Sequence, residues 1–124
     1  MKAALLIFFG GGLGSLSRYF VGKYVSSFHT IQFPLGTLTA NALACLIMGM
    51  VAGILDSKME TSTLSRAFWM VGFCGGFSTF SAFSHEALSL YQQQASLSSL
   101  LYILLSVVVC ILFTVGGICI GQRF

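Results

Sequence analysis

The chain has 124 residues, of which 56% are hydrophobic and only 7% are charged. Soluble domains carry roughly a quarter charged residues, so this composition excludes an ordinary soluble domain and predicts an integral membrane protein. The net charge of +3 comes from six scattered Lys and Arg residues, which argues against nucleic acid as a partner. Uncharged runs cover 3–17, 24–55, 67–85 and 87–122, which leaves room for a single transmembrane domain, residues 1–124.

The first predicted transmembrane helix covers about residues 3–24. Lys2 and the apolar stretch after it are similar to a signal peptide, but no clear cleavage site follows and the apolar pattern continues through Gly10–Gly14. Arg18 falls within this helix. An arginine at membrane depth normally faces protein, a water-filled vestibule or the interface. Arg18 is therefore either a vestibule residue or a side chain that snorkels from the helix end.

The second predicted helix covers about residues 34–55 and begins at Pro34, a favourable first-turn residue. Before it lies a loop, 26–33, in which His29 is expected to be a surface residue. Asn41 lies two turns into the helix among apolar neighbours. A lone asparagine there either holds helices together or donates its amide N–H groups in an ion path.

The third predicted helix, about 66–91, contains an uncharged run of nineteen residues between Arg66 and Glu86. Three glycines followed by Ser78 and Thr79 make its middle a poor helix. A broken helix at membrane depth survives only where it is buried in protein or lines a cavity. Freed carbonyl groups at such a break can bind a cation. The alternative is a helix-packing face in which glycine allows close approach and serine bonds back to its own helix.

The fourth predicted helix covers about residues 100–122. Tyr102, Ser106, Cys110 and Thr114 recur at every fourth position, so they form one stripe on an otherwise apolar helix. The stripe indicates a surface that faces protein or an aqueous path. Hydrogen bonds from Ser106 and Thr114 to their own helix are the alternative.

All four predicted helices carry two glycines at G-x-x-x-G spacing, which predicts tight helix packing throughout. The pairs are Gly10/Gly14, Gly49/Gly53, Gly72/Gly76 and Gly117/Gly121.

Several kinds of chemistry have no candidate residues in this chain. No Ser/His/Asp set, zinc-ligand spacing or phosphate loop is visible, so we expect no enzyme activity. The four cysteines lie in predicted helices without ligand spacing and are expected to be buried free thiols. Glu86 is the one embedded acid, near a helix end, whereas a proton-coupled exporter would carry a central carboxylate. The polar stretch 56–66 is expected to be a loop without chemistry.

Three motifs together resemble those of the bacterial fluoride channel family (CrcB/Fluc), and the resemblance covers the whole chain. The motifs are Gly11-Gly-Leu-Gly-Ser-Leu-Ser-Arg-Tyr19, Pro34-Leu-Gly-Thr-Leu-Thr-Ala-Asn41 and Gly72-Phe-Cys-Gly-Gly-Phe-Ser-Thr-Phe-Ser-Ala-Phe-Ser-His-Glu86. The resemblance implies an all-α membrane protein with four transmembrane helices, the third broken at its centre. It implies an antiparallel, dual-topology homodimer with two fluoride pores in the bacterial inner (plasma) membrane. Its function would be passive, fluoride-selective efflux that protects the cytoplasm.

The resemblance also implies roles for particular residues. A sodium ion at the dimer centre would be held by the backbone carbonyls of Gly75 and Ser78. Arg18 and Glu86 would be vestibule residues. The fluoride pore would be formed by Asn41, Phe80, Ser81, Phe83, Tyr102, Ser106, Cys110 and Thr114.

Two positions depart from the family pattern, because Ala82 and Cys110 stand where hydroxyl residues are common. Each change removes or weakens a hydrogen-bond donor on or near the path. The physics of fluoride agrees with the remaining residues, since a small, strongly hydrated anion needs donors that replace its water. Aromatic rings have positive edges that can face an anion.

A small proton-coupled transporter is the alternative function, and a structural membrane subunit comes third. The Lys and Arg residues show a mild bias toward the side of the termini. Dual topology would prefer near balance, so the sequence supports even dual insertion only weakly.

Overall fold

The computed structural model describes residues 1–28, 33–57 and 63–124, and the side chain of residue 57 is outside this description. Every regular element in these ranges is helical. The prediction for His29 and residues 58–62 of the predicted polar loop 56–66 lie outside the described residues, whereas Thr63–Arg66 at the end of that loop are helical. At the edges of that loop, Asp56 and Arg66 form an exposed ion pair at 3.5 Å.

The helices fall into three long elements and a divided stretch between the second and third of them. In chain order they are α1 (Lys2–Ser26), α2 (Leu35–Ser57), α3 (Thr63–Arg66), a π-helical segment (Ala67–Cys74), α4 (Gly75–Phe77), α5 (Phe80–Gln92) and α6 (Ser96–Gly121). The run 63–77 is continuously helical, and we call it the first half-helix. Ser78 and Thr79 separate it from α5.

Three of the described helices are long and apolar enough to cross a membrane, namely Lys2–Ser26, Leu35–Asp56 and Ser96–Gly121. The stretch 63–92 contributes no single helix of that length, because the extended residues Ser78 and Thr79 divide it. The chain is therefore an all-helical membrane protein.

The helix ends differ from the sequence-based bounds by a few residues, as is common where helices fray. The first helix extends to Ser26 instead of 24. The second begins at Leu35, because Pro34 precedes the helix and its carbonyl accepts the Leu38 N–H at 3.3 Å. The last begins at Ser96, four residues before the expected start, and the Ala95 carbonyl accepts the Ser99 N–H at 3.0 Å.

Two glycine seams hold the long helices together. The first seam joins α1 to the first half-helix through Gly10, Gly14, Gly72 and Gly76, and the second joins α2 to α6 through Gly49, Gly53, Gly117 and Gly121. A Cβ atom placed on Gly14 would lie 2.1 Å from the Phe73 carbonyl oxygen, and one on Gly49 would lie 2.2 Å from the Thr114 carbonyl oxygen. No side chain fits at such distances, so the predicted tight packing at all four glycine pairs is confirmed.

The interior between the seams is built from small clusters of side chains. Ala40, Ala44 and Phe77 form one buried cluster, and Ala87, Leu90 and Tyr102 form another. By contrast, large apolar side chains on α1 and α6 are exposed along both helices; they include Leu5, Phe8, Leu104 and Leu112. An outer surface this apolar is suited to contact with lipid or with another membrane protein.

Candidate functional site

The site begins at the break, which we define as Ser78 and Thr79 between α4 and α5. Both residues are extended, with φ −77° and ψ 159° at Ser78 and φ −152° and ψ 119° at Thr79. Thr79 starts the next helix, because its hydroxyl accepts the Ala82 N–H at 3.2 Å in the usual manner of an N-cap. The chain thus leaves one helix and enters the next within two residues.

Asn41 satisfies the backbone at the break. Its Oδ1 accepts the Thr79 N–H at 2.7 Å, and its Nδ2 donates to the Thr79 carbonyl at 3.2 Å. The side-chain amide therefore bonds to both backbone groups of Thr79, as a residue of a neighbouring β-strand would. Thr79 is only 9% exposed, so an unpaired N–H there would be costly. The Asn41 Nδ2 keeps a second hydrogen that this pairing does not use.

A cavity of about 250 Å³ lies beside the break. Its walls combine a few polar groups with apolar side chains and include no charged residue; they are Asn41, Cys45, Ser78, Thr79, Phe80, Phe83, Ser106, Val107 and Cys110. The Ser106 hydroxyl is buried near the Tyr102 hydroxyl and makes no hydrogen bond of ordinary geometry with the described residues. The cavity thus offers a free hydroxyl and a free amide hydrogen next to two aromatic rings.

Five of the eight predicted pore residues border this cavity: Asn41, Phe80, Phe83, Ser106 and Cys110. The other three make contacts elsewhere. The Thr114 hydroxyl donates to the Cys110 carbonyl at 2.9 Å, and the Ser81 hydroxyl lies 3.2 Å from the Thr79 hydroxyl. Tyr102 is fully buried and its hydroxyl donates to a Glu86 oxygen at 2.8 Å. The polar stripe on α6 therefore divides, and only its middle faces the cavity.

Glu86 joins three helices through hydrogen bonds. Its carboxylate oxygens accept the Thr37 hydroxyl at 2.7 Å and the Tyr102 hydroxyl at 2.8 Å, from α2 and α6 respectively. The Tyr102 ring then contacts Phe83, with ring centroids 5.3 Å apart. The acid is thus connected to the cavity wall through one tyrosine. Its predicted vestibule role remains a prediction.

Comparison with known proteins identifies the group to which this architecture belongs. Residues 5–118 match the family described as "CrcB-like protein, Camphor Resistance (CrcB)". The chain belongs to this family. Three relatives, each named "Fluoride-specific ion channel FluC", come from Rhizobium johnstonii, Pyrococcus abyssi and Phocaeicola vulgatus. The Rhizobium johnstonii relative is 36% identical over 120 residues, which are 97% of this chain and 96% of the relative. The Pyrococcus abyssi relative is 38% identical over 123 residues, 99% of this chain and 98% of the relative. The Phocaeicola vulgatus relative is 40% identical over 122 residues, 98% of this chain and 100% of the relative.

The sodium ion at the break remains a prediction from the sequence motifs, and two carbonyl groups of the chain bear on it. The Thr79 N–H, which would bond to the Gly75 carbonyl in a continuous helix, donates to Asn41 instead. Gly75 is also exposed on the single chain. The Ser78 carbonyl accepts Arg18 Nη1 at 3.4 Å and can still use its second lone pair. Neutral carbonyl oxygens without a nearby carboxylate suit a monovalent cation, so this donor set fits sodium.

Thr79 and Val107 border the cavity, and neither was among the predicted site residues. Two further residues that contact the site, Thr37 and Cys45, were also missing from that set. Both lie on the Asn41 stripe of α2, because Thr37, Asn41 and Cys45 are four residues apart. Thr37 also falls inside the second CrcB motif. A search for helical stripes in α2, like the one that identified the α6 stripe, would have found both.

Proposed function

We propose that this CrcB-family chain forms a fluoride-selective channel through which fluoride leaves the cell passively across the bacterial inner membrane. The observation that carries the proposal is the cavity beside the break. There the unpartnered Ser106 hydroxyl and the spare Asn41 amide hydrogen lie with Phe80 and Phe83 in walls that contain no charged group. The relatives' shared name agrees with this assignment. Transport of an ion requires no bond chemistry, and the chain is not an enzyme.

The cavity chemistry suits a small anion. Fluoride holds its water tightly, so a path must replace that water with N–H and O–H donors. Asn41 and Ser106 supply such donors, and phenylalanine rings can present their positive edges. A fixed cation in the wall would bind fluoride tightly and slow its exit. The uncharged lining therefore favours conduction over storage.

We further propose that the first half-helix and α5 together form the third of four membrane crossings, with the break at its centre. This arrangement leaves Gly75 and Phe80 at the surface of the single chain, and Phe80 is 79% exposed. Backbone polar groups at a break are costly against lipid, so another surface must cover them. A second copy inserted in the opposite orientation would bring two breaks together around a two-fold axis in the membrane plane. The functional unit is then an antiparallel homodimer.

In this dimer, the carbonyls of Gly75 and Ser78 would hold sodium. When bound, the ion supplies a positive charge that the carbonyl dipoles of both breaks share. Arg18 already donates to the Ser78 carbonyl within the chain, so only the second lone pair of that oxygen is left for the ion. Arg18 therefore belongs to the break in this proposal as well as to the predicted vestibule.

The test is fluoride efflux from liposomes that contain the purified protein. We expect fluoride release only after valinomycin provides a path for potassium, because a channel moves net charge. Chloride should remain inside under the same conditions. Liposomes without protein are the control.

Efflux that needs a proton gradient and stays electrically silent would favour the proton-coupled transporter. A folded dimer that releases no fluoride under any gradient would favour a structural subunit. Either result would contradict the channel assignment.

A further inference from the structure

Two thiols lie next to each other in the wall of the cavity. Cys45 on α2 and Cys110 on α6 both border the cavity, both are free, and both are partly buried. Their side chains lie near enough to interact directly. The fluoride proposal uses Cys110 only as a replacement for a hydroxyl residue and gives Cys45 no role.

The second glycine seam explains why these thiols lie together. Gly49 contacts Thr114 and Gly53 contacts Ile118, so α2 and α6 run parallel with a fixed register. One turn before Gly49 and Thr114, the same register pairs Cys45 with Cys110. Residues four apart share a helix face, so both thiols lie on the facing surfaces of the two helices. The close approach of the backbones at the seam keeps their separation small.

We propose that Cys45 and Cys110 form a two-thiol binding site for a soft monovalent metal cation, with the chemistry of Cu(I) or Ag(I), in the wall of the cavity. Thiolates are the ligands that select such soft cations. Binding breaks two S–H bonds, forms two sulfur–metal bonds, releases two protons and leaves the oxidation state of the metal unchanged. Zinc is a poor alternative because its structural sites use four protein ligands. No group of three or more His, Cys, Asp or Glu residues able to hold a metal occurs in the described parts of the chain.

The remaining two cysteines are placed differently and provide matched controls. Cys74 is only 1% exposed and lies near Cys45 but does not border the cavity, and Cys119 is exposed near the end of α6. A site that requires the cavity pair must therefore tolerate changes at both of these positions.

Occupation of the site has a consequence for transport, which rests on the proposed fluoride function. Two thiolates and one monovalent cation carry a net charge of minus one. That charge would lie in the same wall as Ser106 and Phe83, where the path needs donors for an anion. The bound cation would therefore block fluoride by repulsion and by filling space.

The binding test uses silver nitrate and the purified full-length protein in chloride-free detergent solution, with bound silver measured by equilibrium dialysis. We expect one tight silver ion per chain in the wild type, Cys74→Ala and Cys119→Ser. Cys45→Ser and Cys110→Ser should each weaken binding about 100-fold or more, the order expected when a tethered second ligand is lost. Size-exclusion profiles must match the wild type, and Cys45→Ala replaces Cys45→Ser where they do not.

Wild-type affinity in Cys45→Ser or Cys110→Ser, or loss of binding in Cys74→Ala, would overturn the site. A separate measurement adds silver to liposomes and compares each variant with its own flux before silver. Block of the wild type but not of Cys45→Ser supports the transport consequence, whereas tight binding without block overturns that consequence alone. Wild-type liposomes that release no fluoride before silver is added would instead contradict the proposed function.

Discussion

The glycine seams and the break are held together by opposite means. In the seams, backbone touches backbone, and a Cβ on Gly14 or Gly49 would come within 2.1 or 2.2 Å of a carbonyl oxygen. At the break, side chains from other helices supply the contacts: Asn41 bonds to Thr79, and Arg18 bonds to Ser78. A seam should therefore be sensitive to the size of a side chain, and the break to its hydrogen-bonding groups. Substitutions that separate size from polarity test this difference.

The largest effect is expected in the first seam, from Gly14→Ala. The new methyl group would meet the backbone of Phe73, which cannot rotate away as a side chain could, so the helices must separate. We expect a loss of at least about 3 kcal/mol of stability, at or beyond the upper end of ordinary overpacking. The measurement is thermal unfolding in detergent, together with the yield of monodisperse protein.

Gly12→Ala is the matched control in the same helix, because a Cβ at Gly12 has nothing within 4 Å. The neighbours Gly117 and Gly116 repeat the comparison in α6, where a Cβ at Gly117 would lie 2.3 Å from the Leu46 carbonyl oxygen and one at Gly116 has open space. Equal stability of the two members of either pair would show that the seam is not a close backbone contact.

The difference between the two regions also explains what could be predicted from the sequence. Seam packing depends on a local property, the absence of a Cβ at a fixed helical spacing, so glycine pairs four residues apart were enough to predict it. The bond between Asn41 and Thr79 depends on how two remote segments come together, and no spacing encodes it. The α6 stripe lies between these cases. Its spacing predicted a shared face, but Tyr102 and Thr114 are removed from the cavity by contacts with Glu86 and the Cys110 carbonyl.

At the break, the next largest effect is expected from Asn41→Leu. This change keeps similar bulk but leaves the buried Thr79 N–H without its acceptor, at a cost of about 1–3 kcal/mol. It also removes a donor from the cavity. We expect a lower unfolding temperature in detergent and no measurable fluoride efflux from liposomes.

Asn41→Asp separates the two roles of Asn41. An ionised carboxylate still accepts the Thr79 N–H, but its second oxygen would face the Thr79 carbonyl oxygen to which Nδ2 now donates, so stability should recover only in part relative to Asn41→Leu. The carboxylate cannot donate and repels an anion, so fluoride efflux should remain lost. Wild-type efflux in Asn41→Asp, with the Asp ionised, would contradict the donor role.

Phe83→Ile is expected to change stability less than the Asn41 substitutions and to affect mainly transport. Isoleucine keeps most of the apolar volume but removes the ring that lies 5.5 Å from Phe80 and 5.3 Å from Tyr102 between centroids. If ring edges contact fluoride, efflux should be lost while the proposed dimer, measured by light scattering, persists. Phe73→Ile is the control, since Phe73 packs against the buried Ala40 cluster and does not border the cavity. Unchanged efflux in an intact Phe83→Ile dimer would mean that the ring is not needed.

The smallest effect is expected from Ser78→Ala, which changes the break without touching the atoms proposed to hold sodium. The Ser78 hydroxyl donates to the Cys74 carbonyl at 2.9 Å, within its own helical turn. Loss of such a local bond costs little, because the Cys74 carbonyl also accepts the Ser78 N–H at 2.9 Å. The proposed ligands are main-chain oxygens, which alanine retains. Stabilisation by sodium relative to N-methylglucamine, measured as a shift in unfolding temperature, should therefore be the same in Ser78→Ala and the wild type. A sodium-dependent shift that disappears in Ser78→Ala would assign the ion to the hydroxyl and reject the carbonyl site. The break would then hold its ion through a side chain, just as the side chains of Asn41 and Arg18 hold its backbone.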